Sequence, residues 1–212
     1  MYAYPATVTD DILHAIASEE KVVKYVDMPL QHASEAVLKR MKRPTGKGNL
    51  LGMVDRVRSL VPGVTFRTTF IVGFPGETDD DFRQLTDFVE RADFDNVGVF
   101  TYSDEEGTAA FALEGRVPAK VKKARQSELM RIQKRISLRR NKARIGSRLE
   151  VLVEGPHPDT DLLLSGRFSG QAPEIDGSVL ISDPSETPPG RGEFVTCEIT
   201  KAHAYDLEAR VV

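Results

Sequence analysis

A chain of 212 residues with 40% hydrophobic content is long enough to bury a core, as one large domain or as a medium and a small one. Its formal charge of -3 is too small for bulk electrostatics to select a partner. No apolar run approaches the roughly 20 residues of a membrane span, residues 1–5 lack the basic and apolar regions of a signal peptide, and the single cysteine, Cys197, excludes an internal disulfide or a thiolate metal cage. The expectation is a cytoplasmic protein with no membrane partner.

Residues 1–103 alternate short β-branched or aromatic runs with longer amphipathic stretches, the pattern of βαβ units on a parallel sheet. Strands are expected at Lys24 to Met28, Thr65 to Val72 and Asn96 to Tyr102. Between them, Thr9 caps a helix through Ser18, Ser34 opens a second through Met41, Asn49 a third through Leu60, and Thr78 a fourth through Ala92. The cap at Thr78 is well supported, because Asp79, Asp80 and Asp81 place carboxylates at the positive end of the helix dipole.

From Pro118 to about Arg144 the composition turns to a long basic helix with Glu128 as its single acid. Val121, Leu129, Ile132, Ile136 and Leu138 recur near helical spacing, so one stripe packs and the rest faces water, as a linker helix would. Its basic run reads equally as a solvated face or an RNA contact. Beyond Gly146 come five short strands, Arg148 to Val153, Leu162 to Phe168, Ser178 to Ile181, Phe194 to Ala202 and Tyr205 to Val211, which suggest a small antiparallel β-barrel of the OB type. The fold class is thus α/β, a partial (βα) barrel over residues 1–117, a basic linker helix over 118–145 and a small barrel over 146–212.

In parallel α/β barrels the site forms from loops at the carboxyl ends of the strands. There this chain carries Asp27 to His32, Gly73 to Glu77 and Tyr102 to Gly107. Gly73 and Gly76 fit either a tight turn or a close backbone approach to a ligand. Gln31 and His32 fit either a nucleotide contact or structural hydrogen bonding, and no second histidine or carboxylate stands at metal-ligand spacing, so no metal site is assigned. Arg67 and Thr69 alternate with Phe66, Thr68 and Phe70, so one set faces the barrel interior; an arginine there needs an anionic partner, a substrate carboxylate or Asp27.

Tyr2-Ala-Tyr-Pro5, Tyr25-Val-Asp-Met-Pro-Leu-Gln-His-Ala-Ser34 with Val37-Leu-Lys-Arg-Met41, Phe70-Ile-Val-Gly-Phe-Pro-Gly-Glu-Thr78 and Gly166-Arg-Phe-Ser-Gly-Gln-Ala-Pro-Glu-Ile-Asp-Gly177 follow one another in order along the chain. Together they resemble the signatures of the ribosomal-protein methylthiotransferase (RimO) family. The sister family of transfer-RNA methylthiotransferases differs at Gln31-His-Ala-Ser34 and lacks Ala172 to Gly177. The resemblance implies a radical S-adenosylmethionine (SAM) enzyme with two four-iron, four-sulfur clusters, which adds a methylthio group to an aspartate of the twelfth small-subunit ribosomal protein and works as a monomer. It also implies that the first domain is the later part of a radical SAM barrel and that residues 146–212 form a TRAM domain. Gln31, His32, Thr69, Gly73, Glu77 and Tyr102 are the residues so implied at the SAM pocket; no catalytic residue is assigned.

The family carries cluster cysteines in an N-terminal domain and in a CxxxCxxC loop, and neither pattern occurs in these residues. The expectation is a C-terminal part of such an enzyme, inactive alone, whose clusters are ligated by none of its residues. From Leu149 to Val212 there are four bases against twelve acids, a balance poorly suited to phosphate and well suited to a basic ribosomal protein, or simply to solubility. Two other readings stand beside it: a transfer-RNA methylthiotransferase part, and a non-catalytic module that docks protein or RNA.

Overall fold

A computed structural model describes residues 3–43, 49–182 and 188–212; Tyr2, named above, and Asp183 and Glu186, two of the twelve acids counted above, lie outside them. By packing, the chain divides into one unit of residues 1–22 and 26–133 and a second of residues 23–25 and 134–212.

The first unit is built on a three-stranded sheet in the order β1-β2-β3, with β1 Tyr25–Asp27, β2 Thr65–Val72 and β3 Asn96–Thr101. β2 and β3 are parallel, from Arg67 opposite Asn96 to Val72 opposite Thr101, and Gln31 prolongs the line of β1 through a parallel bridge to Phe70. Helices α1 Asp10–Ser18, α2 Glu35–Arg40, α3 Leu50–Leu60 and α4 Asp79–Ala92 begin where the capping residues stand. Thr9, Ser34, Asn49 and Thr78 each accept a first-turn backbone N–H, and Thr78 and Asp81 complete a reciprocal capping box. A three-residue 3₁₀ turn, Pro5–Thr7, precedes α1 and carries no signal that sequence reading used.

Alternation along β2 separates two environments. Phe66, Thr68, Phe70 and Val72 are fully buried, while Arg67, Thr69 and Ile71 on the other face are half-buried. The buried set joins Phe88 and Phe94 in a ring cluster, with Phe66–Phe94 centroids 5.2 Å apart and Phe88–Phe94 5.7 Å apart. Arg67 finds its anion on the half-buried face, where its Nη1 lies 2.9 Å from Asp27 Oδ2.

Helix α5 runs unbroken over Ala119–Lys142, and the division between the units falls within it. Its buried residues, Arg125, Leu129, Ile132, Gln133, Ile136 and Ser137, recur at one-face spacing, so the face that packs includes a cation and two polar residues. Gln126 and Gln133 donate to the carbonyls of Val99 and Phe94, which fixes the first half of α5 beside β3.

The second unit is a closed five-stranded barrel in the order β4-β5-β6-β8-β7, with β4 Arg148–His157, β5 Thr160–Phe168, β6 Val179–Ser182, β7 Phe194–Ala202 and β8 Leu207–Val211. Its core is Val151, Val153, Val179, Ile181, Cys197, Ile199, Leu207 and Ala209. The barrel is not wholly antiparallel as the strand count suggested: β6 and β8 are parallel. An odd number of strands cannot alternate direction all the way round a closed ring, so closure itself forces one such pair.

Candidate functional site at the strand ends

Gln31 leaves β1 with a left-handed φ of 69°, a conformation few non-glycine residues adopt and one that clusters at functional sites. Its N–H donates to Thr69 O and its carbonyl accepts from Ile71 N, at 2.9 and 2.8 Å. Beneath it, Thr68 Oγ1 donates to Met28 O at 2.8 Å and accepts from Leu30 N at 3.2 Å, so one buried hydroxyl satisfies both sides of the bend.

His32 is fully buried, and its Nδ1 accepts from Ser34 N at 2.9 Å. That nitrogen therefore bears no proton, and the neutral ring carries its hydrogen on Nε2, which lies 3.6 Å from Glu77 Oε2. Glu77 is itself wholly engaged. Oε2 accepts from Gly73 N at 2.6 Å and Phe74 N at 3.3 Å, and Oε1 accepts from Arg125 Nη1 at 2.8 Å. The loop from Gly73 to Glu77 is thus wrapped around its own carboxylate, which a buried guanidinium from α5 neutralises. Gly73 and Gly76 both have positive φ, 76° and 77°, so turn geometry requires them. A Cβ on Gly73 would run into the Lys122 side chain, and Arg40 Nη2 reaches the Gly76 carbonyl at 2.8 Å.

Asp81 ties two of the loops together. It accepts from Ser34 Oγ, the N-cap of α2, and from Thr78 N and Oγ1, the N-cap of α4. Burial pushes its carboxyl up, but the Ser34 and Thr78 hydrogen bonds and the Arg40 charge outweigh that and hold it below 3.8.

Tyr102 follows β3. Its ring meets Phe74 edge-on at 5.0 Å, Lys122 Nζ lies 5.0 Å from the ring centroid and donates to the Tyr102 carbonyl, and its Oη is buried without a hydrogen-bond partner among the described residues. Burial, with Asp104 nearby, pushes the phenol above its ordinary range. A cavity of about 260 Å³ opens here, lined by Gln31, Ile71, Phe74, Tyr102, Leu113 and the segment Arg40 to Arg43, all of the first unit.

The six residues singled out from sequence therefore fall in three places. Gln31 and Tyr102 line the cavity. His32, Gly73 and Glu77 form the buried frame beneath it. Thr69 stands on the half-buried face with Arg67, opposite Gly98 of β3. Sequence reading missed Arg125, Asp81 and the cations of Arg40 to Arg43; for Arg125 a signal existed, since it continues the buried stripe of Leu129, Ile132 and Ile136 one turn earlier. Among the described residues no group of three His, Cys, Asp or Glu side chains is placed to hold a metal ion.

A parallel sheet with a glycine turn at its strand ends, followed by a closed five-stranded barrel, is the arrangement of a radical SAM protein that carries a TRAM domain. The radical SAM superfamily model matches residues 2–89 and the TRAM domain model residues 145–212. Over 211 residues, the whole of this chain, identity is 52% to the ribosomal protein uS12 methylthiotransferase RimO of Myxococcus xanthus, of which the match covers 44%. The same enzyme of Koribacter versatilis is 49% identical over 213 residues, with 42% of its length covered. Along its whole length the chain is similar to these uS12 methylthiotransferases, and it spans less than half of their length. Among solved structures, coproporphyrinogen III oxidase of Escherichia coli, a radical SAM enzyme, superposes with a TM-score of 0.55 at 12% identity over 79% of this chain and 45% of its own, which is a likeness of fold alone.

Proposed function

We propose that this chain is the C-terminal part of a radical SAM methylthiotransferase that adds a methylthio group to an aspartate of ribosomal protein uS12. The observation that carries the reading is identity near one half along the whole chain, through both family models in order. The radical SAM family implies SAM and four-iron, four-sulfur clusters. The only cysteine, Cys197, is buried in the second barrel, so the cluster thiolates belong to the part of the relatives that these residues do not span.

SAM fits the strand ends better than a cluster does. When bound it supplies the radical and the methyl group. This chain's own residues do the holding: the Gly73–Glu77 turn, pinned by Glu77 and Arg125, presents its backbone at the strand ends; Thr69 offers a hydroxyl on the half-buried face beside the space left by Gly98; Gln31 and Tyr102 border the cavity. His32 and Glu77 act by fixing the turn. Residues 1–117 then serve as barrel, 118–145 as connecting helix and 146–212 as TRAM domain, whose acidity suits a basic ribosomal protein better than RNA. The RNA-binding reading of α5 is weakened because Arg125 and Lys122 are engaged internally.

The test joins this chain to the N-terminal part of the Myxococcus xanthus relative and supplies reduced clusters, SAM and uS12. Mass spectrometry of uS12 is expected to find one methylthio group on an aspartate. Modification of transfer RNA instead, or of neither, with clusters intact, overturns the reading.

A further inference from the structure

Helix α5 carries more positive charge than its packing uses. Lys122 and Arg125 are taken up inside the first unit, by the Tyr102 carbonyl and by Glu77 with Asp79, and Arg135, Arg139, Arg140 and Arg144 have partners of their own. Lys120, Lys123, Arg131, Lys134 and Lys142 remain. All five are exposed, and none forms an ion pair among the described residues. At 3.6 residues per turn they fall within about 100° of arc, opposite the buried Leu129, Ile132 and Ile136. Glu128, the one acid of the helix, lies about 40° outside that arc. The stripe runs about 33 Å along the unbroken helix.

A merely solvated face gains nothing from this arrangement. Lys120 with Lys123, and Arg131 with Lys134, stand three residues apart, a spacing at which like charges repel and an opposite pair would stabilise. The stripe also lacks what anchors a protein interface, since α5 exposes no aromatic or large apolar side chain among the described residues. Point charges strung along a line, without an anchor, match a partner whose own charges repeat along a line. Four of the five are lysines, which neutralise phosphate but lack the planar fork suited to reading base edges. We propose that the exposed face of α5 docks the phosphate backbone of RNA, each of the five cations neutralising a phosphate and no base being read. The RNA holds the protein in place and is not itself modified, so the proposal goes beyond the methylthiotransferase reading. That reading supplies only a setting, because a ribosomal protein lies among RNA.

The test measures binding of the full 212-residue chain to a fluorescein-labelled RNA duplex of about 20 base pairs by anisotropy, at salt from about 50 to 200 mM. Five phosphate contacts give log affinity against log salt a slope of about −3.5 to −4.5, a loss of roughly 100- to 500-fold over that range. Two duplexes of unrelated sequence are expected to bind alike. Lys123→Gln with Lys134→Gln should reduce the magnitude of the slope by about 2. Lys21→Gln with Lys24→Gln, an equal loss of exposed charge off the helix, should leave it unchanged. No saturable binding at the lowest salt, an unchanged slope in the α5 variant, an equal fall in the other variant, or a clear preference between the duplexes each overturns the proposal. Tighter binding of polyglutamate than of the duplex does so too, by making the partner an acidic polypeptide. So does a low-salt dimer that the α5 substitutions dissociate and RNA does not, which would seat the acid-rich second unit of another copy on the stripe. Any of these leaves the methylthiotransferase reading untouched, and a fused enzyme that fails to modify uS12 leaves the RNA contact untouched.

Discussion

Thr68 shows how much one side chain can carry at the strand ends. Its hydroxyl serves the Met28 carbonyl and the Leu30 amide in a fully buried position, so Thr68→Val keeps the shape and leaves both groups unpaired. Urea unfolding of the variant at neutral pH should show a loss of about 1–3 kcal/mol with an unchanged denaturant slope. Asp81 makes a pH-dependent case. Its folded-state carboxyl titrates below 3.8, so it contributes stability that is fully present above that value and is lost as pH falls through the lower folded pKa. The stability difference between the native chain and Asp81→Asn should therefore be constant from neutral pH down to about 5, then shrink below about 4; a difference that stays constant through acid would show that Asp81 acts only by shape. Sequence placed both residues on the right elements. It did not find these roles, because Asp81 looked like one of three acids favouring a helix dipole and its bond to Ser34 spans 47 positions.

At the scale of elements, four helix starts were legible because capping is local: Thr9, Ser34, Asn49 and Thr78 each bond within three residues of themselves. The three strands of the first sheet were legible from β-branched and aromatic runs bounded by turns. The packed face of α5 was less so, since a stripe that includes Arg125, Gln133 and Ser137 does not look apolar. The parallel β6–β8 pair is a consequence of ring closure and has no local signal. The segment Gly166 to Gly177, recognised as a motif, has a steric basis at both ends. A Cβ on Gly166 would stand 2.7 Å from the Leu152 carbonyl oxygen, and one on Gly177 would overlap the backbone carbonyl of Tyr205. Neither obstacle is a flexible side-chain tip. Gly177→Ala should cost at least about 3 kcal/mol, whereas Gly63→Ala, which meets nothing within 4 Å but sits at a φ of 78°, should cost only the left-handed strain of about 1–2 kcal/mol. Thermal melts of the two variants beside the native chain distinguish steric closure from backbone strain.

For the molecule as a whole, two separately cored units are expected to unfold with two midpoints, and Cys197 supplies a probe for one of them. The thiol is fully buried in the barrel core beside Val151, Ile199 and Ala209, so a thiol reagent reaches it only when the barrel opens. The barrel unit is the smaller, and because smaller units bury a smaller fraction of their surface on folding, it is expected to be the less stable of the two. The larger unit is reported by the amides of Phe66 and Phe70, whose rings and that of Phe94 form its aromatic centre. Cys197 alkylation is expected to accelerate at lower urea than the loss of hydrogen-exchange protection at Phe66 and Phe70. Coincident transitions would mean that α5, continuous across the division, makes the two units open together. The Gly177→Ala variant sharpens the comparison: it should bring Cys197 labelling to still lower urea while leaving Phe70 protection where it was, since the overlap it creates lies wholly within the barrel.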